Sequence, residues 1–113
     1  MFTLHEKDKE FRHKDHGPKY LEEGPRMKFG IVQILPHSEV SPHVHKQMQE
    51  GFYILEGCPT FHVGDQNYTA VKGDYVHIES GEGHKISNDG DVKVRMIVTA
   101  APYVKDDKEP IDM

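Results

Sequence analysis

A chain of 113 residues fits one compact domain and leaves no room for a second core. Charged residues make up 29% of it, and a net charge of −5 without a basic stripe excludes the usual electrostatics of nucleic-acid binding and of adsorption to acidic membranes. The single cysteine, Cys58, excludes an internal disulfide. Met1 to Glu10 lacks the apolar run of a signal peptide, and no stretch approaches the roughly 18 apolar residues of a membrane helix, so a cytoplasmic location is expected. Cys58, beside Pro59, reads as a small, partly buried turn residue.

In chain order, residues 1–25 come first, dense in charge. Phe2, Leu4, Phe11, Tyr20 and Leu21 are too sparse for a core of their own, so this segment reads as an N-terminal arm that lies on something else. From Met27 the texture changes, and runs rich in Val, Ile, Phe and Tyr predict strands over 27–35, 43–45, 51–55, 60–63, 68–71, 75–78, 84–87 and 92–100. Clusters of Gly, Pro, Asp and Asn separate them, at 36–42, 56–59, 64–67, 72–74, 80–83 and 88–91. Many short strands at regular spacing, with Pro and Gly leaving little room for helix, predict an all-β sandwich or barrel over 26–104. The polar tail, 105–113, is expected to be loose.

Nine histidines are the compositional oddity, and their spacing carries chemistry. His43 and His45 are two apart, so a strand places both imidazoles on one face. Glu50 follows His45 at an odd offset, and Lys46–Gln49 is compatible with a bend or bulge that resets the register. Glu50, Phe52 and Ile54 then share a face. His84 opens another strand after Gly81-Glu82-Gly83. Three imidazoles and a carboxylate suit one divalent ion: Fe, Mn, Ni, Co or Zn. A lone His-x-His pair is commonly two solvated side chains, so the weight rests on the surrounding pattern. His5, His13 and His16 read as surface residues, and His62 could face either way. Alternation groups His77 with Tyr75; if that face turns inward, both would line the pocket beside Phe52 and contact its ligand.

The surrounding pattern resembles the cupin family. Its first motif is Gly, five residues, His-x-His, three or four residues, Glu, six residues, Gly; this chain has His43-Val44-His45, Glu50 and Gly57 at those offsets. Its second motif is Gly, five residues, Pro-x-Gly, two residues, His, three residues, Asn; this chain has Gly73, Gly81, His84 and Asn88. Two positions depart: His37 stands where the first motif has Gly, so the turn after Pro36 need not have positive φ, and Glu79 stands where the second has Pro. Neither is a ligand position. Gly57 and Gly73 mark sharp reversals, and Asn88 suits an Asx turn.

The resemblance implies an antiparallel jelly-roll barrel with the metal in its mouth, held by His43, His45, Glu50 and His84. It leaves an octahedral ion about two open positions for a small oxygenated substrate. The family spans dioxygenases, decarboxylases, sugar-phosphate isomerases, epimerases and non-catalytic binders. The expectation is therefore a metal-dependent enzyme, an oxygenase or an isomerase/lyase. The alternative is a binding or sensing module for a sugar or organic acid. A homodimer is expected, with Tyr53 and Leu55 on the face opposite Glu50, and with the Phe2 and Leu4 segment able to add a strand to a partner's sheet edge.

Overall fold

A computed structural model describes residues 1–113 and arranges them as ten strands with one short turn of 3-10 helix at Glu6–Asp8. In chain order the strands are β1 (Gly17–Glu23), β2 (Lys28–Ile34), β3 (Ser38–His45), β4 (Gln49–Glu56) and β5 (Thr60–Val63). They continue with β6 (Gln66–Thr69), β7 (Tyr75–Ile78), β8 (His84–Asn88), β9 (Val94–Ala101) and β10 (Lys108–Pro110). Two antiparallel five-stranded sheets result, in the orders β1-β2-β9-β4-β7 and β10-β3-β8-β5-β6. This is the expected all-β jelly-roll barrel. No helix is long and apolar enough to cross a membrane.

The sheets face each other because alternate side chains on each are apolar. β9, central in its sheet, shows this plainly: Val94, Met96, Val98 and Ala100 are buried while the residues between them are partly exposed. Ile34, Phe52, Ile54 and Ile78 join them from one sheet, and Phe61 and Ile86 meet them from the other. The rings of Phe52 and Phe61 lie 5.4 Å apart across the sandwich. Asn88 ties the end of the barrel together. Its Nδ2 donates to the carbonyls of Ile34 at 3.1 Å and Val92 at 2.8 Å, and its Oδ1 accepts from Gly90 N–H, completing the expected Asx turn.

Several expectations change. The arm 1–25, expected to lie on something else, carries a strand that the sequence reading did not predict: β1 pairs with β2, from Gly17 opposite Gln33 to Glu23 opposite Lys28. Within β1 the stem of Lys19 is buried, and its ammonium donates to the carbonyl of Glu6 and lies 4.5 Å over the Phe11 ring. Arg95 grips both carboxylate oxygens of Glu6, at 2.9 and 3.0 Å, and pins the start of the chain to the sheet. Phe2 and Leu4 stay exposed.

The tail is not loose either. Lys108–Pro110 pairs with His43–His45 as an edge strand. The strand expected at 43–45 begins at Ser38, and Pro42 is tolerated inside it because the pairing with β8 shifts register between Val40 and His43. The turn expected at 64–67 shrinks to Gly64-Asp65, and β6 starts at Gln66. His37 adopts φ +58°, so the left-handed conformation that glycine would take is kept by a histidine. The His37 ring is exposed, 2.9 Å from Asp91. Cys58 is exposed, not partly buried.

Asp107 joins the tail to the barrel. Its carboxylate accepts from the backbone N–H of Gln47, at 2.9 Å, and of buried Met48, at 2.8 Å. Burial opposes its charge, but these N–H groups more than offset that and hold the carboxyl below its usual range. Replacing Asp107 by Ala should therefore lower unfolding stability at pH 7 by about 1–3 kcal/mol, since a buried N–H loses its acceptor. Urea denaturation checks this; an unchanged midpoint would show that the tail contact carries no stability.

Candidate metal centre

β3 presents His43 and His45 to the barrel interior two residues apart, and β8, paired with it, brings His84 directly opposite His43. The rings of His43 and His84 stand 4.4 Å apart, and those of His43 and His45 5.1 Å. Glu50 comes from β4, in the other sheet. The odd offset between His45 and Glu50 is thus resolved not by a bulge within one strand but by a crossing between sheets at Lys46–Met48, which Asp107 holds. Across facing sheets the parity rule for one strand no longer applies.

All four side chains are buried, and one ligand atom from each lies within 4.8 Å of the others. The imidazoles are oriented from behind. His43 Nδ1 donates to the Ser41 carbonyl at 2.8 Å, and His84 Nδ1 donates to the Glu82 carbonyl at 2.9 Å. A carbonyl can only accept, so each neutral ring turns an Nε2 lone pair inward. His84 Nε2 lies 3.1 Å from Glu50 Oε1, and His45 Nε2 lies 3.3 Å from the same oxygen. At His84 a lone pair then faces the carboxylate, an arrangement that calls for a cation between them. His45 Nδ1 is buried without a partner, so nothing in the protein fixes this ring from behind. Three nitrogens and one carboxylate oxygen converging on one point fit a divalent transition metal or zinc.

Electrostatics prepares the same donors. Burial pushes His43 down to about 4, which keeps its imidazole neutral at pH 7.

The centre opens into a cavity of about 110 Å³, with His43, His45, Glu50 and Phe52 in its lining. Tyr75 and His77 do not line it. On β7, His77 pairs with Gly51 and Tyr75 with Tyr53, so both share the outer face, while Val76 and Ile78 share the face of Phe52 and Glu50. His77 Nε2 instead meets Glu79 Oε1 at 2.7 Å. His62 also points outward, between Asn67 at 2.8 Å and Ser87 at 3.0 Å. His13 and His16 stack on each other 5.0 Å apart, away from the centre. Among the lining residues that sequence reasoning missed are Arg12, Tyr20, Lys28 and Lys108. They come from the segment before β1, from β1, from the start of β2 and from β10, and no spacing in the sequence signals that these meet.

Residues 30–100 match the Cupin domain family, and the chain belongs to it. An oxalate-binding protein of Thermotoga maritima is 32% identical over 69 residues, covering 61% of this chain and 57% of that protein. A putative sugar phosphate isomerase of Acidithiobacillus ferrooxidans superposes with a TM-score of 0.63 at 29% identity, covering 68% of this chain and 51% of that one. An uncharacterised double-stranded β-helix protein of Klebsiella pneumoniae superposes with a TM-score of 0.83 at 17% identity, over 100% of this chain and 99% of that one; this likeness is one of fold. The chain thus spans only about half the length of the first two.

Two outcomes follow. His43→Ala and His84→Ala should each lose most of the bound metal while His13→Ala keeps it, as read by elemental analysis of protein loaded with one equivalent of ion; equal content in all three would refute the quartet. The pH dependence has a defined sign. His43 titrates lower in the folded chain, about 4, than its ordinary 6.5, so the folded state binds fewer protons in that window. Its contribution to stability is full above pH 6.5 and is lost as pH falls through 4. The urea midpoint of the metal-free protein should therefore fall steadily on acidification from pH 7, and a His43→Gln variant should flatten the upper part of that fall.

Proposed function

We propose that this chain is a metal-dependent enzyme acting on a small, oxygen-rich molecule held in the barrel mouth, by an isomerase/lyase or an oxygenase reaction. The observation that carries the reading is the buried quartet of His43, His45, Glu50 and His84 opening directly into the cavity of about 110 Å³. That volume equals only a few water molecules at about 30 Å³ each, so the buried part of the ligand is small. A bound ion supplies Lewis acidity, polarising a carbonyl or hydroxyl oxygen of the ligand.

The chain's own residues do the rest. The carbonyls of Ser41 and Glu82 keep the rings of His43 and His84 aimed, so these two rings need no reorientation to ligate. Met48, Phe52, Ile86 and Val98 form an apolar wall that limits water around the reacting atoms. Burial pushes the Tyr20 phenol up to about 12, so it keeps its proton and serves as a hydrogen-bond donor that orients a ligand oxygen. Similarity to the putative sugar phosphate isomerase supports the enzymatic reading.

A second reading, binding without turnover, draws support from the similarity to an oxalate-binding protein. The two are separated by loading the chain with Zn(II), Mn(II), Fe(II) or Ni(II) and offering α-keto acids, keto-sugars, catechols and flavonols. Product formed without dioxygen, and tolerant of Zn(II), identifies an isomerase or lyase. Dioxygen uptake with Fe, Mn or Ni but not Zn identifies an oxygenase. Saturable binding with no product from any compound would overturn the enzymatic reading in favour of the binding module.

A further inference from the structure

The cavity mouth is basic in a chain that is acidic. Net charge is −5, yet Arg12, Lys28 and Lys108 all line this one opening. They come from three separate places: the segment before β1, the start of β2, and β10. None lies within residues 30–100, the part that matches the family.

Each cation is directed by backbone or packing. Lys108 pairs with His45 across β10 and β3, and paired residues project to the same side of a sheet, so its ammonium follows His45 toward the cavity. Arg12 is held by its backbone N–H, which donates to the Pro18 carbonyl at 2.9 Å. Lys28 lies 4.5 Å over the Tyr20 ring and 3.6 Å from Glu23. The guanidinium of Arg12 and the ammonium of Lys108 make no ion pair and no side-chain hydrogen bond in the protein, although Lys108 sits beside the buried centre. The acidic groups of the lining do not cancel them: Glu50 belongs to the metal quartet, Asp107 is bonded to Gln47 and Met48, and only Asp106 remains.

We propose that Arg12, Lys28 and Lys108 form an anion-recognition rim that binds a phosphate or carboxylate group of the ligand whose other oxygens reach the metal. The proposal rests on the metal-centred reading above and adds to it the charge of the ligand and the residues that select for it. The narrow cavity admits the chelating end, and the anionic group stays at the mouth, between Arg12 and Lys108, whose charges have no partner in the protein, and beside Lys28. Guanidinium and ammonium groups at such a rim recognise anions through short, charge-assisted hydrogen bonds.

The test compares three probes that share a hydroxy-ketone: dihydroxyacetone, uncharged; dihydroxyacetone phosphate; and hydroxypyruvate, with a carboxylate. Binding to the Zn(II)-loaded chain is measured by calorimetry, with metal content read in parallel. At least one anionic probe should bind about tenfold or more tightly than dihydroxyacetone, and which of the two gains more identifies the anion. An Arg12→Ala/Lys108→Gln variant should lose most of that advantage with metal content unchanged, and Lys108→Arg should keep it. Equal, metal-dependent binding of all three probes would overturn the rim and leave the metal-centred reading standing. An advantage undiminished in the double variant would also overturn it. If a fully metal-loaded chain binds none of the three, both the rim and the reading beneath it fall.

Discussion

One oxygen atom organises this molecule. Glu50 Oε1 lies 3.1 Å from His84 Nε2 and 3.3 Å from His45 Nε2, inside a barrel where all three residues are buried. The Glu82 carbonyl fixes the proton of His84 on the far side of its ring. A carboxylate and an imidazole lone pair do not hold one another in a low-dielectric interior; a cation between them does. The barrel is a device for assembling these groups, and much of its detail makes sense as support for that assembly.

The support comes from both sheets and both ends of the chain. Pairing of β3 with β8 sets two imidazoles side by side, and the crossing at Lys46–Met48 delivers the carboxylate from the opposite sheet. Asp107 holds that crossing from the far end of the sequence, so the tail positions the centre indirectly, through backbone N–H groups. Asn88 closes the second strand that carries a ligand, bonding to carbonyls at Ile34 and Val92. The apolar core, with Phe52 against Phe61, keeps the sheets at the separation that lets Glu50 meet the histidines. These are local bonds with a shared consequence, which is a preorganised donor set.

What the sequence disclosed followed from periodicity and spacing. The alternation of Val94, Met96, Val98 and Ala100 reads directly as a half-buried strand, and His43, His45, Glu50 and His84 stand at offsets that a known motif shares. What stayed hidden depended on pairing between distant segments. Nothing local in Gly17–Glu23 says that a buried Lys19 stem will help a charged segment become a strand. Lys108–Pro110 is exposed and polar, and becomes ordered only because β3 offers it an edge. His77 and Tyr75 were correctly grouped on one face, but which face turned inward depended on their register against Gly51 and Tyr53 of β4. A strand's period gives two faces and not their direction. His37 shows the complementary case, where a backbone conformation no longer required once glycine is absent persists in another residue at φ +58°.

The central claim is that four named side chains hold one cation, and anomalous diffraction addresses it most directly. Crystals of the protein loaded with Co(II), measured on both sides of the cobalt absorption edge, should show a single peak bounded by Nε2 of His43, His45 and His84 and by Oε1 of Glu50. A peak at the stacked pair His13 and His16 instead, or none at all from protein that had been offered the ion at neutral pH, would contradict the account.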